Sequence, residues 1–302
     1  MHVVVTGGSG FIGRHVVARL VARGDEVVVA DLQPFPLPGI DCVRGDLRDP
    51  AVVERAVTPA TDAVVHLAAI TSVLKSAQDP HAVFETNVGA TELLLERCRS
   101  LGVRRFVFAS TNAVAGDVGA ATIDEGVLPH PLTPYGATKA AAEMLFSAYA
   151  ASYHMATVAL RFTNVYGAGM QTKDSVVARL MRCALGGGAI QIYGDGEQRR
   201  DYVYVADTVA AIEIGLGLGR PETLTIGAGR SVSMNELWQT ACEVTGVAIP
   251  ADHVAAKPGE MPAVVVDTSR ARTLGYAPAY DLAAGLAATW EDFEANGGGG
   301  AP

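Results

Sequence analysis

Three groups of residues have the types and spacing that chemistry requires. Tyr135 and Lys139 form a Y-x-x-x-K pair directly after Pro134. Proline suits the first turn of a helix, and residues four apart share one helix face. A phenol titrates near about 10 and is a poor base at neutral pH. A neighbouring ammonium, with the positive ring of an oxidised nicotinamide, favours the phenolate and makes the pair suited to proton transfer. The second group is Thr6-Gly7-Gly8-Ser9-Gly10-Phe11-Ile12-Gly13, a glycine turn between a β-branched run and a helical pattern. In such a turn Gly7 makes the tight bend, Gly10 lets backbone approach a pyrophosphate, and Gly13 permits close helix–strand packing. The third is Asp31, at the end of Val27-Val28-Val29-Ala30-Asp31, where a carboxylate accepts both hydroxyls of an adenosine ribose and repels a 2′-phosphate. Together these predict a bound dinucleotide, NAD rather than NADP.

The elements needed to position these residues are legible from periodicity. Candidate strands are His2–Thr6, Glu26–Ala30, Ala63–His66, Arg105–Ala109 and Ala156–Leu160, and the clearest helical segments are Phe11–Ala22, His81–Leu101 and Tyr135–Tyr153. This alternation predicts an α/β fold, a doubly wound parallel Rossmann sheet. After about Thr163 the elements shorten and glycine turns multiply, which predicts a smaller C-terminal α/β substrate-binding lobe. The expected division is 1–163 for the dinucleotide-binding domain, with later segments crossing back, 164–294 for the lobe and 295–302 for a frayed tail.

Bulk properties narrow the function. The chain has 302 residues, a formal net charge of −9 and no Lys/Arg-rich block, which argues against nucleic acid or an anionic membrane as partner. No apolar run of transmembrane length occurs and the N-terminus reads as a strand. The four cysteines form no C-x-x-C pair and the histidines no H-x-x-x-H pair, so neither a disulfide framework nor a metal site is expected. A cytoplasmic enzyme acting on a small molecule fits these properties.

The chain resembles the extended short-chain dehydrogenase/reductases, within them the NAD-dependent epimerase/dehydratase family that acts on nucleotide-sugars. The landmarks occur in order: TGGSGFIG (Thr6–Gly13), GDL (Gly45–Leu47), HLAA (His66–Ala69), NVGATELL (Asn87–Leu94), FAST (Phe108–Thr111), PYGATK (Pro134–Lys139), LRFTNVYG (Leu160–Gly167), GDGEQRRDYVYV (Gly194–Val205) and KPGE (Lys257–Glu260). The resemblance implies that Gly7, Gly10, Phe11, Ile12 and Gly13 hold the NAD pyrophosphate and Asp31 the ribose. It places Asp46 and Leu47 at the adenine, and Ala68, Ala69, Asn87 and Phe162 along the cofactor groove. Thr111 and Tyr135 become the catalytic hydroxyls, and Lys139 the partner of both the phenol and the nicotinamide ribose. Asn112, Asn164, Val177, Tyr193, Arg200, Lys257 and Glu260 are assigned to the nucleotide-sugar. The resemblance also implies a homodimer in which helices such as His81–Leu101 and Tyr135–Tyr153 pair in a four-helix bundle.

Other residues carry alternatives. His66 is expected to be a satisfied core histidine and Glu143 a solvated helix residue, while Asn87 either orients backbone near the site or caps a turn. The resemblance leaves 4-epimerisation, 4,6-dehydration and decarboxylation open. Dehydratases of the family carry Asp-Glu after the catalytic Thr, and decarboxylases a Glu in that stretch; here Asn112 and Ala113 follow Thr111. Elimination favours 4-epimerisation of a UDP-sugar of the glucose/galactose type, with UDP-glucuronic acid as the second candidate because Asn112 can donate to a carboxylate. A net keto-sugar reductase and a silent NAD-binding regulator are the rivals from other classes. Three positions depart from the family pattern. Ala115 stands where most relatives have Tyr, Lys257 replaces an Arg, and Val264 replaces a bulky Tyr, which is expected to leave room for a 2-acetamido group.

Overall fold

The computed structural model describes residues 1–119, 121–256 and 263–296. Its centre is a seven-stranded, all-parallel sheet in the order Glu222–Ile226, Ala156–Phe162, Arg105–Thr111, Ala63–His66, His2–Thr6, Glu26–Asp31, Asp41–Arg44. The strands are mostly Val, Ala, Phe and Leu, as expected where both faces are covered by helices. One face packs Val16, Val17 and Leu20 of the helix Phe11–Ala22 against Ile212 and Leu216 of the helix Val205–Gly217. The other packs Leu94, Leu95 and Cys98 with Phe106, Phe108 and Phe146.

The predicted strands all form, with three ends extended: Asp31, Thr111 and Phe162 are still sheet-paired. Two further strands complete the seven-stranded sheet. Asp41–Arg44 closes one edge, and Glu222–Ile226 returns from the second half of the chain to close the other. The predicted helix His81–Leu101 is corrected: the path runs as a short helix Pro80–Phe84, a π-helical turn Glu85–Gly89, then the helix Ala90–Leu101. The C-terminal helix spans Leu282–Asn296, so residues 295 and 296 are helical rather than frayed, and 297–302 lie outside the described residues.

Residues beyond Thr163 supply most of a second core, in which Tyr166, Met181, Leu237, Leu286 and Phe293 are buried together. A three-stranded sheet (Asn164–Tyr166, Arg199–Tyr204, Ser231–Ser233) and a strand pair (Ile190–Tyr193, Ala251–Val254) frame it. Among the described residues, no helix is long and apolar enough to cross a membrane.

Phe106 has no exposed surface and packs edge-on to both His66 and Phe146. Phe106→Ala is expected to lower unfolding free energy by about 3–5 kcal/mol. Leu128→Ala, at an exposed loop position, should change it by less than about 0.5 kcal/mol. Urea denaturation followed by circular dichroism distinguishes the two.

Candidate active site

The strand order reverses between His2–Thr6 and Ala63–His66, the place where open parallel sheets form a crevice at their carboxyl ends. Gly7 turns there with φ 68°, and a Cβ on it would lie 2.6 Å from the Ala68 amide nitrogen. A Cβ on Gly13 would lie 2.6 Å from Gly8 Cα. These two glycines let the turn, the segment Leu67–Ala68 and the helix Phe11–Ala22 close on one another. That helix is capped by Gly10 with no side-chain acceptor, so its first-turn N–H groups remain available to an anion. Asp31 stands beside the turn: its Oδ2 accepts from Ser9 N at 3.0 Å and its Oδ1 from Gln33 N at 2.9 Å. Each oxygen keeps a second lone pair. The cradle therefore fits a dinucleotide with a free 2′-hydroxyl. Asp46, next to the buried Leu47, is held by Arg48 Nη2 at 2.6 Å, and that guanidinium keeps its carboxyl below the usual range.

The candidate pair, Tyr135 and Lys139, sits on the helix Pro134–Tyr153, capped by Thr133, with Pro134 in its first turn. Tyr135 is acted on by the hydroxyl of Thr111, the last residue of the strand Arg105–Thr111. Burial pushes the phenol up to about 12, and the Thr111 hydroxyl works against that push. Among the protein's own groups, desolvation dominates the phenol. Lys139 is 2% exposed, donates to Ala109 O at 2.7 Å and lies 4.4 Å from the Phe108 ring centre. Burial pulls its ammonium down to about 7, against the raising effect of Glu143.

Glu143 is the main correction. Far from being solvated, it is 5% exposed and receives the Ser110 hydroxyl and the Arg161 fork, with Nη2 to Oε2 at 2.8 Å and Nε to Oε1 at 3.1 Å. Two signals in the sequence bear on this. Tyr135, Lys139 and Glu143 are successive four-residue steps on one face, and Arg161 is the one charged residue in the strand Ala156–Phe162.

His66 and Asn87 belong to one buried chain of hydrogen bonds. The Ala68 N–H donates to Thr6 Oγ1 and the Thr91 hydroxyl donates to Asn87 O. Thr6 therefore donates to His66 Nδ1 at 2.6 Å, and His66 Nε2–H donates to Thr91 at 2.9 Å. Burial, with Lys139 nearby, holds the imidazole near about 3, so it stays neutral in this single tautomer. Asn87 accepts from Ile70 N, donates back to Ile70 O and also donates to Thr138 Oγ1. It orients backbone beside the site, the first of its two readings. The π-helical turn aims its amide, and such bulges recur at functional sites.

The nucleotide-sugar candidates are brought together only in part. Asn164 is exposed and donates to Asp201 O at 2.9 Å. Arg200, on the strand paired with Asn164–Tyr166, and Tyr193 are half-buried. Asp201, missed from sequence, receives Thr163 and the amides of Ala228, Gly229 and Arg230, which pins the loop beside Arg200. Val177 is 1% exposed inside the second core and Phe162 is buried in the first, so the side chains of both are packing residues, a correction to their assignment as contacts. Lys257 and Glu260 lie outside the described residues. Ala115 and Val264 meet in a closed cluster with Ile123 and Val266. Val264 is 3% exposed, so its short side chain opens no room for a larger sugar.

Residues 3–227 match the NAD dependent epimerase/dehydratase family. The fold resembles Thermus thermophilus UDP-glucose 4-epimerase, solved in complex with NAD, at 35% identity, covering 98% of this chain and 100% of that one, with a TM-score of 0.92. It resembles the Thermotoga maritima UDP-glucose 4-epimerase with UDP-glucose at 33% identity, covering 98% and 99%, with a TM-score of 0.93. A Streptomyces griseus dTDP-glucose 4,6-dehydratase is 34% identical over 95% of this chain and 92% of its own length.

Asp31→Asn keeps the shape of the turn and removes its charge. It is expected to narrow the preference for NAD over NADP by about tenfold or more, since loss of one repelled or charge-assisted contact is worth about 1.5–3 kcal/mol. Calorimetric titration with both dinucleotides measures this; an unchanged ratio would remove Asp31 from cofactor selection.

Proposed function

The chain belongs to the NAD-dependent epimerase/dehydratase family and uses NAD, and on that premise we propose that it interconverts the 4-epimers of a UDP-sugar of the glucose/galactose type. One observation carries the choice of reaction: the Thr111 hydroxyl acts on the Tyr135 phenol, and an amide and a methyl, rather than two carboxylates, follow Thr111. The next acids along the chain are already committed to backbone. Asp117 accepts from Gly119 N, Asp124 from Gly126 N and Glu125 from Thr225 N.

When bound, NAD supplies the hydride acceptor and donor for C4. Tyr135 takes the proton of the sugar 4-hydroxyl and later returns one to the C4 oxygen, with the Thr111 hydroxyl steadying that oxygen. Lys139 supplies the positive charge beside the phenolate that forms. Inversion requires the sugar to present its other face before C4 is restored, so the nucleotide must be anchored while the sugar turns. Arg200 and Asn164 are the residues we assign to that anchoring, because a guanidinium fork suits phosphate oxygens. UDP-glucuronic acid is the second candidate substrate. It is supported by Asn112, whose amide oxygen lies 3.5 Å from Thr111 Oγ1 and whose amide donors can reach a carboxylate. We also propose a cytoplasmic location, on the spacing of the four cysteines in the sequence.

We further propose a homodimer. Phe84, Met144 and Tyr153 are large apolar side chains exposed on the helices that the bundle would use. Met144→Glu is expected to shift the protein from dimer to monomer in sedimentation velocity.

The catalytic reading is tested by incubating the protein separately with UDP-glucose, UDP-N-acetylglucosamine and UDP-glucuronic acid, without added reductant, and following the anomeric protons by NMR. The expected result is the matching galacto-configured signal with one of them; silence with all three overturns the epimerase reading. Tyr135→Phe should lower turnover about 10²–10⁴-fold and leave NAD affinity unchanged.

A further inference from the structure

The helix Pro134–Tyr153 touches three consecutive residues of the strand Arg105–Thr111, using three side chains four residues apart. The Thr111 hydroxyl acts on the Tyr135 phenol, Lys139 donates to Ala109 O, and Glu143 receives the Ser110 hydroxyl. The third contact is itself anchored from the next strand, where Arg161 is the register partner of Ser110 and grips Glu143 with Nε and Nη2. Arg161 and Glu143 are both nearly solvent-free. A buried ion pair is a weak source of stability, because desolvation cancels most of the attraction and an apolar pair of similar volume does as well. Its place here therefore points to another role.

We infer that Glu143 is a positioning residue: clamped by Ser110 and Arg161, it fixes the register of the catalytic helix on the strand and supplies the buried negative charge that faces Lys139. The inference rests on Tyr135 and Lys139 being the reacting pair. The charged and titratable groups around the ammonium are few. Tyr135 and Glu143 come from its own helix, His66 from the strand Ala63–His66, and Arg161 stands behind Glu143. His66 is neutral, the phenol is protonated at rest, and Arg161 is positive, so Glu143 is the one negative charge among them. Removing it would leave two buried cations on adjacent elements.

The sign of the effect follows. Burial already draws Lys139 down and Glu143 opposes it, so losing the carboxylate lowers the lysine further and deprotonates it within the working pH range. The test uses the full-length protein with ¹⁵N-labelled lysine, the Nζ resonance of Lys139 being identified by its loss in Lys139→Met. Glu143→Gln is expected to lower the Nζ titration midpoint by about one pH unit or more. The alkaline limb of the kcat–pH profile should move by the same amount. Glu143→Asp, which keeps the charge, should restore most of the midpoint. If the lone change fails to fold, Glu143→Gln combined with Arg161→Met removes both charges and should fold with the midpoint still lowered. An Nζ midpoint unchanged in the folded variant overturns the inference and leaves the pair as packing alone. The titration is read without any sugar, so it decides the role of Glu143 even if no UDP-sugar turns over.

Discussion

The molecule is organised around an ammonium group out of water. Lys139 is buried between a helix and a parallel sheet, and a lone charge there would be costly enough to neutralise itself. The surroundings answer that demand with the Ala109 carbonyl, the face of Phe108 and the Glu143 carboxylate. Each of these answers places another demand. Glu143 must itself be paired, which draws in Arg161 and Ser110, and His66 must stay neutral, which fixes its tautomer between Thr6 and Thr91.

The hydrogen-bond chain from Thr6 through His66, Thr91 and Asn87 to Thr138 ends at Tyr135, because the Thr138 hydroxyl donates to the Tyr135 carbonyl. It links the glycine turn that fits a dinucleotide to the helix that carries the phenol. Both lie at the carboxyl ends of the strands, where the order of the sheet reverses. The second half of the chain is tied to the first where His15 Nε2 lies 2.8 Å from Ala168 O and where the Thr163 hydroxyl donates to Asp201. It also returns the strand Glu222–Ile226 to the main sheet, so the two halves share hydrogen bonds and do not sit on a hinge-like linker.

The pocket wall that differs from the family pattern shows how burial changes the meaning of a substitution. Shortening Ala115 and Val264 relative to bulky aromatic residues suggests empty space when read one position at a time. In three dimensions they fall together, and Ile123 and Val266 fill what each would leave. Neither position therefore argues for a larger sugar, and the half-buried Asn112, its amide oxygen 3.5 Å from Thr111 Oγ1, remains the candidate for sugar selection.

Local chemistry determined much of this protein from sequence alone. A glycine turn between a β-branched run and a helix, an acid about 20 residues on, and Y-x-x-x-K behind a proline each depend on short-range spacing, so they could be read without a fold. The same holds for the strands His2–Thr6 and Ala63–His66 and the helix Phe11–Ala22. What tertiary structure decided were the properties that depend on what lies across the sheet. Glu143 looks like a surface residue until Arg161, in a neighbouring strand and 18 positions away, is placed against it. The π-helical turn at Asn87 arises from satisfying the backbone of Ile70, and the edge strand Glu222–Ile226 from a pairing partner more than 60 residues earlier. Burial likewise raises the Tyr135 phenol, because desolvation is set by the whole fold, whereas a charge four residues away is visible in the sequence.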